Sequence, residues 1–124
     1  MNETYLGNVN VKRDGVVTEW TKEDVQEYAK CMNDPAYFAT NYAKIISLDT
    51  GLVPFHLYPY QEKMFDSFNK NRFSIVLACR QSGKSISSVA YLLWFAIFHP
   101  EKTIAILANK GATAREMLAR VTLM

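Results

Sequence analysis

The second half of the sequence predicts an α/β fold, because two short apolar segments flank one long apolar helix. Residues 73–78 read FSIVLA and residues 103–108 read TIAILA, and most of these residue types favour strands. Between them we expect a helix from Lys84 to Phe98, which ends before the proline at position 100. A strand, a helix and a second strand of continuous apolar character are typical of a parallel sheet covered on both faces.

The helices of the first half are indicated by their start signals. TKED at residues 21–24 has the pattern of a capping box, with Thr21 at the N-cap, and predicts a helix to about Met32. Asp34 followed by Pro35 predicts a second helix, because an acid caps the N-terminus and proline is tolerated at the first helical position.

Turn signals and periodicity predict the remaining elements. Short strands are expected in NVNV and GVVTEW around the turn KRDG, and a hairpin is expected in IISLDTGLVPF at residues 45–55. YPYQEKMFDSFNK at residues 58–70 spaces its apolar side chains as a helix does. TARE at residues 113–116 has the pattern of another capping box and predicts that a last helix begins there.

Composition excludes several classes of protein. The chain has 124 residues, of which 49% are hydrophobic and 13% aromatic, so it is not expected to be a disordered polymer. The longest apolar run, residues 89–98, is too short to cross a bilayer that needs about 20 residues, and the N-terminus lacks a signal peptide. We expect Cys31 and Cys79 to be reduced thiols in a soluble, non-secreted protein. A net charge of +2 does not by itself indicate nucleic-acid binding.

ACRQSGKS at residues 78–85 has the pattern of a phosphate-binding loop between a strand and a helix. Such a turn wraps phosphates with backbone N–H groups at the positive end of the helix. Gly83 allows close approach, Lys84 would contact the β- and γ-phosphates, and the Ser85 hydroxyl would bind Mg²⁺. Ala78 stands where glycine is usual, and its methyl group is acceptable only if φ is negative. The alternative is a chance GKS at a helix N-terminus.

The variable positions of this loop are unusual. Arg80 and Gln81 occupy places that small residues often fill, and Ser82 precedes the glycine. Arg80 would either stabilise the charge of a transition state, as an arginine finger in cis, or pair with a neighbouring acid on the surface. Both interpretations remain open. Cys79 is expected to pack against the protein.

Tyr60 and Gln61 lie about 20 residues before the loop and could select the base. A glutamine amide can pair with adenine N6 and N7, and an aromatic ring can stack on the base. We therefore expect the pair to favour ATP over GTP. The alternative is that Tyr60 is a core residue.

Together, the glutamine motif, RQSGKS, the long apolar helix and ANKGATAREML resemble the large terminase subunit of tailed phages, the DNA-packaging motor. YLGNVNVKRDG, DPAYFATNYAKI and GLVPF are similar to members of the myovirus type, so the resemblance covers nearly the whole chain. It implies a P-loop NTPase of the additional-strand type from residue 58, preceded by a small, mainly helical lid subdomain at residues 1–57.

The resemblance also implies roles and partners. ATP and Mg²⁺ would be bound by Tyr60, Gln61 and loop residues 80–85, with Arg80 and Lys84 acting on the γ-phosphate and Ser85 on the metal. Double-stranded DNA, the portal protein and the small terminase subunit would be the partners, in the host cytoplasm and transiently at the procapsid portal, with no membrane.

We expect this chain to be the first part of such a motor, with an incomplete sheet. After Lys84 the only acids are Glu101 and Glu116, and neither ends an apolar strand as the catalytic carboxylates of the family do. Such a chain should hydrolyse ATP poorly and self-associate through exposed apolar surface. Two alternatives remain: the start of a superfamily-2 helicase-like DNA translocase, and a non-enzymatic interaction module.

Overall fold

The computed structural model describes residues 4–47 and 49–124 and has mixed α/β architecture. Within these residues, five helices accompany two small antiparallel sheets of two strands each. In chain order the elements are β1 Thr4–Tyr5, β2 Asn8–Lys12, α1 Lys22–Asn33, α2 Pro35–Tyr42, β3 Lys44–Ser47, β4 Gly51–Pro54, α3 Pro59–Lys70, α4 Lys84–Phe98 and α5 Gly111–Leu123.

The predicted start signals of α1 and α2 are confirmed. The Thr21 hydroxyl accepts a hydrogen bond from the Asp24 amide at 3.1 Å, and the Asp24 carboxylate accepts one from the Thr21 amide at 3.0 Å. Asp34 caps α2 by accepting bonds from the amides of residues 36 and 37, with Pro35 at the first helical position. These reciprocal bonds satisfy amides that a helix leaves without an internal partner.

The two hairpins differ from each other in how well the sequence predicts them. β3 and β4 pair as expected, from Lys44 opposite Pro54 to Ser47 opposite Gly51. β2 pairs with β1 instead of with residues 15–20, which form no strand, so the prediction for GVVTEW is wrong. The tight turn is Leu6-Gly7, whose φ values of 49° and 80° match the positive φ at both central positions that a type I′ turn requires.

Helix α4 organises the core. Ala90 packs in one cluster with buried residues of α2 and α3 and with Phe55, which directly follows β4. Trp94 and Phe98 pack in a second cluster with Cys31 and Phe38. The Trp94 indole donates a buried hydrogen bond of 2.7 Å to the Cys31 carbonyl. Residues before and after position 57 contribute to both clusters.

The parallel sheet predicted for residues 73–78 and 103–108 is not observed. Both segments lack strand pairing within the described chain, and Ile75 and Leu77 are each 100% exposed. A strand forms only when a neighbour accepts and donates its backbone hydrogen bonds, and no strand of the described chain pairs with either segment.

Helix α4 has the predicted bounds, whereas α5 begins two residues before the predicted start. Lys110 occupies the N-cap of α5 without a side-chain bond, and the Thr113 amide donates to the Lys110 carbonyl at 3.1 Å. The capping box predicted in TARE is therefore wrong. None of the helices in residues 4–47 and 49–124 combines the length and apolar character needed to cross a membrane.

Candidate functional site

The loop at residues 78–85 turns sharply into α4. Gly83 is the N-cap of α4 and has φ of 80° and ψ of 10°, a left-handed conformation that favours glycine. Gln81 also has a positive φ of 59°. Ala78 is not among the described residues with positive φ, so the methyl group that replaces the usual glycine hydrogen causes no backbone strain.

Lys84 and Ser82 both point into the loop. The Lys84 ammonium donates to the Cys79 carbonyl at 3.1 Å, and the Ser82 hydroxyl donates to the same carbonyl oxygen at 2.9 Å. Cys79 itself is exposed, so the expectation that it packs is wrong. The lysine charge thus lies across the turn at the N-terminus of α4.

Ser85 differs from the serines that follow it. The hydroxyls of Ser87 and Ser88 donate back to helix carbonyls, those of Gly83 at 2.8 Å and Lys84 at 2.9 Å. The Ser85 hydroxyl makes no hydrogen bond with the described residues, and its side chain lines the cavity beside the loop. It is therefore the hydroxyl at this helix start that remains available to a ligand.

The start of α3 contacts the loop directly. The Tyr60 hydroxyl donates a hydrogen bond to the Ser82 carbonyl. The Gln61 amide nitrogen lies 3.5 Å from the Gly83 carbonyl, and its oxygen accepts from the Tyr58 amide at 2.8 Å. Tyr60 is half-exposed, so the alternative that it is a core residue is not supported, whereas Gln61 is 2% exposed.

Gly83 and Gln61 lie so close that the glycine has a second structural role. A Cβ at position 83 would lie 2.7 Å from the Gln61 amide nitrogen, which is closer than van der Waals contact allows. Glycine at this position therefore serves the approach of α3 as well as the left-handed turn.

Arg80 stands apart from these contacts. Its side chain is exposed and forms no hydrogen bond or ion pair with any described residue. Among the described residues, no acid therefore pairs with Arg80, and Arg80 is not one of the residues that line the cavity beside the loop.

The cavity beside the loop has a volume of about 440 Å³. Besides residues 81–86, it is lined by Ile45 and Ile46 of β3 and by Arg120 of α5. Arg120 also pairs with Glu116 one helical turn earlier, at 2.6 Å. Sequence reasoning missed these three residues, because their proximity to the loop depends on tertiary packing and has no local pattern.

Within the described part of the chain, no three His, Cys, Asp or Glu side chains are grouped closely enough to hold a metal ion. The candidate magnesium ligand is the Ser85 hydroxyl, which would share the ion with phosphate oxygens. No protein-family model matches the chain.

Proposed function

We propose that residues 80–85 bind the phosphates of ATP together with Mg²⁺, in a nucleotide site that Tyr60 and Gln61 complete. The chain would be part of a terminase-type motor that moves double-stranded DNA into a procapsid through the portal protein, with the small terminase subunit as a further partner. Additional strands beside residues 73–78 and 103–108 would complete the P-loop sheet.

The observation that carries this proposal is the contact between two separate motifs. Tyr60 and Gln61 are 22 residues from the loop carbonyls that they approach, at Ser82 and Gly83. The sequence pattern predicts one nucleotide site from both motifs. A chance GKS at a helix start would have no reason to lie beside a tyrosine-glutamine pair.

The proposed binding follows from charge and hydrogen-bonding capacity. The first turn of α4 presents amides at the positive end of a 15-residue helix, which favours an anion there. Lys84 would exchange its bond to the Cys79 carbonyl for phosphate oxygens, a stronger charge-assisted contact. Mg²⁺, when bound, would neutralise phosphate charge, and Ser85 would supply one of its oxygens.

Gln61 would read adenine only after its own contacts change. Its amide oxygen can accept a second hydrogen bond, and its nitrogen carries two donors, of which the Gly83 carbonyl at 3.5 Å uses one weakly. Tyr60, exposed at the start of α3, would stack on the base.

A titration with ATP and Mg²⁺ tests the phosphate site. Lys84→Ala should weaken binding at least tenfold, because a charge-assisted contact contributes roughly 1.5 to 3 kcal/mol. The lysine ammonium contacts a carbonyl in an exposed turn, so the substitution should leave the melting temperature nearly unchanged. Calorimetry measures both quantities on the same protein.

Lys110→Ala is the matched control, since it removes the same charge from the N-cap of a different helix, α5. It should bind ATP as the unsubstituted protein does. Equal affinity in the unsubstituted protein and Lys84→Ala contradicts the phosphate site. If the unsubstituted protein binds GTP as tightly as ATP, the phosphate site stands and the role of Gln61 in base selection is wrong.

A further inference from the structure

A second cavity, of about 410 Å³, lies away from the phosphate loop, between α1, α2 and the C-terminal end of α4. Its volume is within the roughly 300 to 1,000 Å³ usual for ligand pockets. Of the nine described residues that line it, five are aromatic. We call it the aromatic pocket, and these residues are Trp20, Tyr28, Phe38, Tyr42 and Phe98.

The rings of the aromatic pocket form a connected wall. Trp20 meets Tyr28 edge to face with centroids 5.6 Å apart, and Tyr28 lies 5.1 Å from Phe98. Phe38 contacts Phe98 at 5.5 Å and stacks on Tyr42 at 5.9 Å. Trp20, Tyr28 and Tyr42 are each more than two-fifths exposed, so part of each side chain is accessible to a ligand.

The charge of the aromatic pocket is negative. Asp24 and Glu27 line it, and none of its lining residues is lysine, arginine or histidine. Glu27 Oε1 accepts hydrogen bonds from the hydroxyls of Tyr37 at 2.8 Å and Tyr42 at 2.9 Å, which fixes the carboxylate beside the rings. The Thr21 amide and the Thr21 hydroxyl both donate to Asp24 Oδ2. Asp24 Oδ1 has no partner in residues 4–47 and 49–124.

Two lysines lie near this pocket without lining it. Lys30 approaches Glu27 Oε2 at 3.4 Å, and its side chain is 61% exposed. Lys12 donates to the Thr18 hydroxyl at 2.6 Å at the pocket's rim. Exposed ion pairs of this length contribute little, so the two carboxylates retain most of their attraction for an added cation.

We propose that the aromatic pocket binds an organic cation, either a quaternary ammonium or the guanidinium of an arginine side chain. Aromatic faces attract such cations through their quadrupole when the charge is within about 6 Å of the ring centre. The fixed carboxylate of Glu27 adds a direct charge, while apolar walls accept the alkyl groups that a small hydrated ion lacks. This site is independent of the proposed nucleotide function.

Two-dimensional NMR of the tryptophan indoles tests the proposal with choline as the probe. The chain has two tryptophans, and Trp94 is buried with its indole bonded to the Cys31 carbonyl, so it serves as an internal reference. Choline should shift the Trp20 indole saturably with a dissociation constant of about 1 to 10 mM. The uncharged isostere 3,3-dimethyl-1-butanol should bind at least about fivefold more weakly.

Matched variants separate charge from shape. Glu27→Gln keeps an oxygen for the two tyrosine hydroxyls and should weaken choline binding about fivefold. Glu62→Gln, at an exposed position of α3, changes net charge equally and should leave choline binding unchanged. Trp20→Leu, followed on the Tyr28 ring signals, should weaken it about threefold. Equal binding of choline and its isostere, or equal losses in both glutamine variants, overturns the proposal.

The source of the cation is distinguished by a second pair of probes. N-acetyl-arginine amide and its uncharged citrulline analogue are compared in the same experiment. Tighter binding of the arginine probe than of choline assigns the pocket to a protein side chain, and the reverse order assigns it to a free quaternary ammonium. If neither cation shifts the Trp20 indole, the pocket is not a cation site.

Discussion

The core around α4 and the apolar segments at residues 73–78 and 103–108 contain the same kinds of side chain in opposite environments. Val89, Ala90 and Trp94 are at most 2% exposed, whereas Ile75 and Leu77 are completely exposed. Hydrophobic character therefore does not decide burial in this molecule. What differs is whether each segment can form its backbone hydrogen bonds without a neighbouring segment.

A helix satisfies its own backbone hydrogen bonds, so α4 needs no neighbouring strand and buries its apolar faces against α1, α2 and α3. A strand depends on another strand for those bonds. Residues 73–78 and 103–108 have strand-forming sequences, but in the described chain no strand is adjacent to either of them. The apolar surface that results is the kind that marks an interaction site or an aggregation hazard.

The largest difference between the two regions should appear in unfolding. Trp94→Ala removes a buried ring and leaves the Cys31 carbonyl without its indole donor, so it should cost about 3 to 5 kcal/mol. Ile75→Ala removes apolar atoms that contact nothing and should change stability by less than about 0.5 kcal/mol. Urea unfolding of both variants measures the contrast. Similar losses would mean that Ile75 is buried in solution.

Self-association should show the opposite pattern. A double substitution of Ile75 and Leu77 by threonine places β-branched, strand-compatible side chains at both positions while removing exposed apolar surface. Light scattering at increasing protein concentration should show a lower apparent mass for this variant, by at least about twofold if the protein associates through this segment. Leu118→Thr, at an exposed position of α5, is the control and should leave association unchanged. A monomer in every case would contradict the expected association.

The same contrast explains how much of the molecule the sequence could predict. Thr21, Asp34 and Pro35 predicted helix starts correctly, because capping depends on residues within one turn. The partners of FSIVLA and TIAILA could not be predicted, because strand pairing depends on segments distant in sequence. In the candidate site, the loop and the Tyr60–Gln61 pair carry recognisable patterns. The neighbours Ile45 and Arg120 do not, since packing alone brings them to the cavity.

A smaller, pH-dependent effect on stability should distinguish the core region from the exposed segments, because Glu27 of α1 accepts hydrogen bonds from two tyrosines of α2. Hydrogen bonds from the Tyr37 and Tyr42 hydroxyls lower the pKa of Glu27 below its ordinary value of 4.5. The contribution of this carboxylate is therefore fully present above pH 4.5 and is lost as the pH falls through the lowered pKa. The hydrogen bond to Glu27 raises the pKa of Tyr42 from 10 to about 12. The stability that the Tyr42 hydroxyl contributes is therefore fully present below pH 10 and is lost as the pH rises towards 12.

Thermal unfolding from pH 3 to pH 12 measures both limbs of this dependence. Glu27→Gln keeps the two tyrosine bonds but has no titrating carboxylate, so both the acid and the alkaline slopes should become flatter. Glu62→Gln, on the exposed face of α3, should retain the slopes of the unsubstituted protein. The hydrogen bonds between Glu27 and the two tyrosines are exposed enough that salt and solvent screen the carboxylate charge, so this is the smallest of the expected effects. If stability depends on pH in the same way in the unsubstituted protein and Glu27→Gln, the aromatic core holds the two helices together without a contribution from the Glu27 carboxylate.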